Sequence, residues 1–120
     1  MSEGGNAVAA TELVGTIDDA LIGEIVRRVL RVAEPDRIIL FGSAAAGKMT
    51  RDSDIDLLVV EPSPEDRRRE SVRIGDVLRG LGYPFDVIVI TTEWFEATKN
   101  VIGGIAYPAN KYGKVIHEAS

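Results

Sequence analysis

Three short apolar runs, two of them headed by aspartate, restrict what this chain can fold into. Arg37-Ile38-Ile39-Leu40-Phe41 closes on Gly42, and Asp54-Ile55-Asp56-Leu57-Leu58-Val59-Val60 and Phe85-Asp86-Val87-Ile88-Val89-Ile90 follow. Short apolar runs of this length, bounded by turn residues, mark buried strands. The spacing of Ile17, Leu21, Ile25, Val29 and Val32 predicts a helix over 17–33, capped by Thr16, with Asp18 and Asp19 in its first turn and Pro35 as its stop. Ser63-Pro64-Glu65-Asp66 predicts the start of a second helix over 64–80, ended by Gly80 and Gly82. Shorter helices are expected near 93–98 and 101–109, and a last strand over 114–117. The expected fold is α/β, a small mixed sheet with helices packed on one face. Strand 38–41 runs antiparallel to 54–60, and 85–90 runs parallel to 54–60 through the helical crossover that parallel neighbours require. The helices over 17–33 and 64–80 are expected on the same face.

Length and composition set the outer limits. A chain of 120 residues suits one core, so residues 16–120 are read as one domain behind a flexible leader of residues 1–15, which is small, polar and aperiodic. With 14 basic and 19 acidic residues the net charge is −5, the wrong sign for a general nucleic-acid binder. The absence of Cys removes disulfides and thiolate metal sites. No apolar run reaches the roughly 18 residues of a membrane span, and Met1 to Ala10 lacks the pattern of a secretory signal. A cytoplasmic protein is expected.

The chemistry is expected where the aspartates gather. Side chains at i and i+2 of a strand share a face, so Asp54 and Asp56 reach a common point, with Ile55 and Leu57 turned the other way. The expected topology brings Asp86 and the Gly42-Ser43 turn to the same sheet edge. Three carboxylates so close repel one another unless cations hold them. Hard ions such as Mg²⁺, two of them about 3.5–4 Å apart, suit this oxygen set, and Mn²⁺ is an alternative. Gly42-Ser43 is expected to open a helical turn, whose exposed N–H groups would attract phosphate. Phosphate beside such a carboxylate site points to phosphoryl or nucleotidyl transfer.

Other conspicuous residues take plainer readings. Gly42 to Lys48 matches most of a P-loop, but Met49 stands where that loop needs Ser or Thr, and both acidic positions precede their strands. Arg67-Arg68-Arg69, among Glu65, Asp66 and Glu70, reads as a solvated, salt-bridged helix face. His117, the single histidine, is assigned to packing or solvent, and Trp94 and Phe95 to packing under the last strands.

Gly42-Ser43, ten intervening residues, Asp54-x-Asp56 and a later Asp86 resemble the minimal nucleotidyltransferases of the DNA polymerase β-like superfamily. The similarity covers about Asp36 to Ile90 and extends more weakly to the leading helix and the tail. It implies that fold, with Asp54, Asp56 and Asp86 holding two Mg²⁺ ions and Gly42 and Ser43 holding the nucleotide's phosphates. It implies transfer of a nucleoside monophosphate, commonly AMP from ATP, to an acceptor hydroxyl. Many members carry Arg in the turn where this chain has Ala46, and Lys48 and Arg51 are candidate substitutes. The chain is too short for the added helical domain of the larger relatives. The resemblance therefore favours the stand-alone antitoxin type that works with a separate helical HEPN partner, neutralising that toxin by adding AMP or by binding it. The alternative reading is a non-catalytic antitoxin or binding module that keeps the fold, and self-association is left open.

Overall fold

A computed structural model describes residues 13–15, 17–50 and 52–120. Its elements in chain order are β1 (Leu13–Gly15), α1 (Asp19–Leu30), β2 (Arg37–Phe41), β3 (Met49–Thr50), β4 (Ile55–Glu61), α2 (Arg67–Val77), β5 (Phe85–Thr91), α3 (Thr92–Thr98), α4 (Ala106–Tyr112) and β6 (Lys114–Glu118). Four strands form one mixed sheet in the order β5-β4-β2-β6. β2 lies antiparallel to β4, from Arg37 opposite Val60 to Phe41 opposite Asp56. β5 lies parallel to β4, with α2 as the crossover. β6 runs antiparallel along the other side of β2. β1, the last three residues of the stretch read as a leader, pairs with β3 in a separate two-stranded ladder. Among the described residues no helix is long and apolar enough to cross a membrane.

Strand alternation divides the core into two layers. Ile55, Leu57 and Val59 of β4, with Ile38 and Leu40 of β2, meet Ile25 and Val29 of α1 and Ile74 and Leu78 of the α2 region. Leu58 and Val60, with Ile39 and Ile90, meet Phe95 of α3 and Ala106 and Ala109 of α4. The two long helices thus share a face, as the sequence predicts, and the short helices cover the other. Burying each of these aliphatic side chains contributes roughly 2 kcal/mol. Arg28 of α1 ties the helical layer together. Its guanidinium donates to the carbonyls of Val77 (3.2 Å) and Arg79 (3.0 Å), satisfying acceptors at the end of α2.

Helix boundaries depart from the sequence reading for local reasons. Asp18, not Thr16, caps α1, its carboxylate accepting from the Leu21 N–H at 2.8 Å; Thr16 lies outside the described residues. α1 ends at Leu30 rather than 33, because the Arg31 and Val32 N–H groups tighten onto the carbonyls of Arg28 and Val29. α2 starts at Arg67 rather than 64, since the cap is Asp66, in extended backbone, accepting from Arg69 N–H. α4 begins at Ala106, not 101, because Gly103 takes a left-handed φ of 124° that no helix continues. Pro108 falls within the first turn of α4, where a missing N–H leaves no bond unmade.

At the end of β4 remote from the aspartates, Glu61 is only 6% exposed and its Oε2 meets no partner. Burial, and then the facing Glu70, push its carboxyl up to about 7, so that it keeps a proton shared with Glu70. Glu70 is held below the usual range by that proton and by Arg73, which it meets at 2.5 Å. Above its ordinary value near 4.5, Glu61 is ionised in the unfolded chain but protonated in the folded one. The folded state therefore binds the extra proton, and stability falls as pH rises towards 7 and then levels off. Glu70 is ionised in both states across that window and leaves the sign unchanged. Glu61→Gln is expected to raise the melting temperature at pH 8 by about 5 °C, and hardly at pH 5, read by circular dichroism.

Candidate active site

The ladder of β4 and β5 carries the acidic groups to one end of the sheet. Asp56 stands opposite Asp86 in parallel register, so both side chains leave from the same face, that of Leu58 and Ile90. The Ile55 N–H donates to the Pro84 carbonyl at 2.9 Å, joining the two strand starts. Asp54 stands just ahead of β4, on a loop held by Ser53. That serine's Oγ accepts from Thr50 N–H (2.9 Å), and its own N–H donates back to the Thr50 carbonyl (3.2 Å). Sequence reasoning missed Ser53. Its signal was a hydroxyl residue three positions after Thr50, a spacing that closes small hydrogen-bonded turns.

Gly42 adjoins the acidic cluster directly. Phe41 is paired with Asp56, and the backbone then turns at Gly42 with φ 72°. A Cβ at Gly42 would collide with Asp56 Oδ2 and lie 3.3 Å from its Cγ. The glycine is therefore required twice, by its backbone conformation and by the carboxylate packed against it. The following residues make a single helical turn, as the sequence suggests, but no continued helix. They close through Ala46 N–H to the Gly42 carbonyl (3.1 Å) and Lys48 N–H to the Ser43 carbonyl (2.9 Å), with Gly47 also left-handed. Ser43 thus stands in an isolated turn and caps no regular helix. Met49 is wholly buried, which agrees with the rejection of a P-loop.

Asp56 is half-buried, whereas Asp54 and Asp86 are exposed. Desolvation, then the charges of Asp86 and Asp54, raise the Asp56 carboxyl above the usual range. The three groups therefore feel one another across a single site. Three hard oxygen donors under mutual repulsion fit a divalent cation in chemistry. As the side chains stand, no group of three His, Cys, Asp or Glu among the described residues is arranged to hold an ion.

Other sequence-predicted residues fall outside this cluster. Lys48 is exposed and makes no ion pair among the described residues, and Arg51 lies outside them. His117 pairs with Ile38, well back along β2 from the Gly42 end, consistent with packing. Phe95 is buried as expected, but Trp94 is 58% exposed, because adjacent helical positions face different ways. Arg67, Arg68 and Arg69 are exposed without the expected salt bridges; Glu70 pairs with Arg73 instead.

A family model described as "Nucleotidyltransferase domain" matches residues 22–106. The chain belongs to that family. Among solved structures, a toxin–antitoxin crystallised with AMP-PNP is similar at 22% identity and a TM-score of 0.57, over 82% of this chain and 73% of that one. A mutant of the toxin–antitoxin MntA-HpeT, with two Asp-to-Glu changes two positions apart, is similar at 18% identity and a TM-score of 0.56, with the same coverage. Both likenesses concern the fold. No curated protein sequence matches significantly.

Gly42→Ala is expected to lose roughly 2 kcal/mol of stability in urea unfolding, from the forced left-handed alanine and the collision. Asp56→Ala in the same chain should recover part of that loss, because it removes the struck carboxylate.

Proposed function

We propose that the chain transfers a nucleoside monophosphate, AMP from ATP, to an acceptor hydroxyl. The observation that carries this reading is Asp56 in register with Asp86, beneath the Gly42 turn, in a chain matched by the nucleotidyltransferase family model. Asp54, Asp56 and Asp86 are the catalytic residues in this reading and would together hold two divalent ions, Mg²⁺ or Mn²⁺. When bound, such ions neutralise charge on the phosphates and lower the pKa of the attacking hydroxyl. Gly42 and Ser43 would bring the main chain close to the phosphates, the missing side chain at Gly42 making room for the Asp56 carboxylate beside them. Lys48 would add one positive charge to the turn, and Arg51 a second.

The acceptor we propose is a hydroxyl on a helical toxin partner of HEPN type, in the cytoplasm. Support comes from the two similar structures, both toxin–antitoxins, one with a non-hydrolysable ATP analogue. The other carries its Asp-to-Glu pair at the spacing of Asp54 and Asp56. A second reading, a binding module without transfer, is favoured by one observation: Ala46 stands exposed in the turn and contributes no charge to a triphosphate.

The two readings separate when α-labelled ATP and Mg²⁺ are incubated with the chain and the product of its adjacent gene. We expect label on the partner, reduced about 100-fold or more by Asp54→Asn or Asp56→Asn. A tight complex with no transfer, identical for wild type and Asp54→Asn, would establish the binding module instead.

A further inference from the structure

We propose that the outer edge of β5 is a strand-addition site for an extended, acidic segment of a partner protein. β5 is a terminal strand of the sheet, paired with β4 alone. The parallel register and the Ile55-to-Pro84 bond assign residues 84, 86, 88 and 90 to the β4 ladder. The N–H and C=O groups of Val87 and Val89 therefore face outward, with no main-chain partner among the described residues. Seven residues, Phe85 to Thr91, carry a single charge, Asp86, and neither Pro nor Gly.

The opposite edge is built differently. β6 carries Lys114, His117 and Glu118, and its pairing with β2 is broken by a register irregularity. Charges and irregularities are the usual protection of an exposed edge, and β5 has one charge near its start and no irregularity. An unprotected strand edge pairs with another extended chain through its main chain, with side-chain pockets adding selectivity.

α2 supplies those side chains. It runs beside the β5 edge, and the groove between them opens into a cavity of about 370 Å³ at Val72, Gly75 and Phe85. At its other end Arg67 and Arg68 flank Val87 to Val89, exposed and without an ion-pair partner among the described residues. A positive wall on a chain of net charge −5 is a local feature that selects carboxylates. It also argues against a second copy as occupant. Along this wall Arg67, Arg68 and Arg79 outnumber Asp76, so two copies would bring like charges together. The opposing β5 would offer one carboxylate only. The inference stands on edge geometry and charge, apart from the transfer reaction, and its readout is binding rather than label transfer.

The test uses the full chain and a fluorescein-labelled dodecapeptide of alternating valine and threonine with two glutamates at one end. Fluorescence anisotropy should show saturable binding, with a lysine-ended version about tenfold weaker or worse. Val87→Pro removes an outward N–H without touching the β4 ladder and should abolish binding. Arg67→Glu with Arg68→Glu, on an exposed helix surface that the fold does not depend on, should weaken the glutamate peptide about tenfold and spare the lysine one. Circular dichroism establishes that each variant is folded, and the arginine pair decides the matter if Val87→Pro is not. No binding of the glutamate peptide would overturn the proposal, as would binding indifferent to the arginine changes. A dimer in sedimentation equilibrium that Val87→Pro dissolves would overturn it too, by giving the edge to a second copy.

Discussion

The main-chain ladder on both sides of β4 is the constraint on which the site depends. β4 is bonded to β2 and to β5, and Asp56 acquires its neighbours only through those two registers. A slip of one residue on either side would turn an aspartate to the opposite face, among Ile25, Val29 and Leu57. Burying an unpaired carboxylate there costs several kcal/mol, and the displaced aliphatic side chains would lose their packing as well. The two apolar layers thus hold the register from both faces. Residues with no chemistry of their own, such as Leu58 against Phe95, fix where the carboxylates stand.

The two ends of β4 meet the same electrostatic problem by different means. At each end a carboxyl is raised by desolvation and by neighbouring carboxylates: Asp56 by Asp86 and Asp54, Glu61 by Glu70. Glu61 is buried and resolves the conflict internally, by keeping a proton shared with Glu70, which Arg73 in turn supports. Asp56 stays half in solvent beside two exposed carboxylates, with no cation of the described chain among the causes that set its acidity. An internal remedy closes a site, whereas an unresolved one leaves it open to positive charge from outside.

That contrast explains what was legible in the sequence. Strands buried on both faces leave continuous apolar runs, so β2, β4 and β5 were visible, and the crossover length fixed β5 as parallel. From there the placing of Asp86 beside Asp56 followed from strand topology. Features decided by tertiary packing were not visible. Gly42 to Lys48 reads as opening a helix, yet with Ala44 and Met49 drawn into the core and Gly47 left-handed it stops after a single turn. Ser63 and Asp66 carry equivalent capping chemistry, and only the extended backbone at Asp66 selects it. β6 has a mixed pattern because it is an edge strand, so its place beside β2 could not be read from periodicity.

Charge segregation on this small acidic chain gives the β5 edge a direction. Near the start of the strand lie Asp86 and, beyond it, Asp56 and Asp54; further along, Arg67 and Arg68 flank Val87 to Val89. An acidic segment laid along the edge is repelled where it nears the aspartates and attracted where it passes the arginines. Near a protein surface each such contact at about 4 Å amounts to a few kcal/mol before screening, enough to prefer one orientation. The segment then seats with its carboxylates beside α2 and its uncharged end towards Asp86.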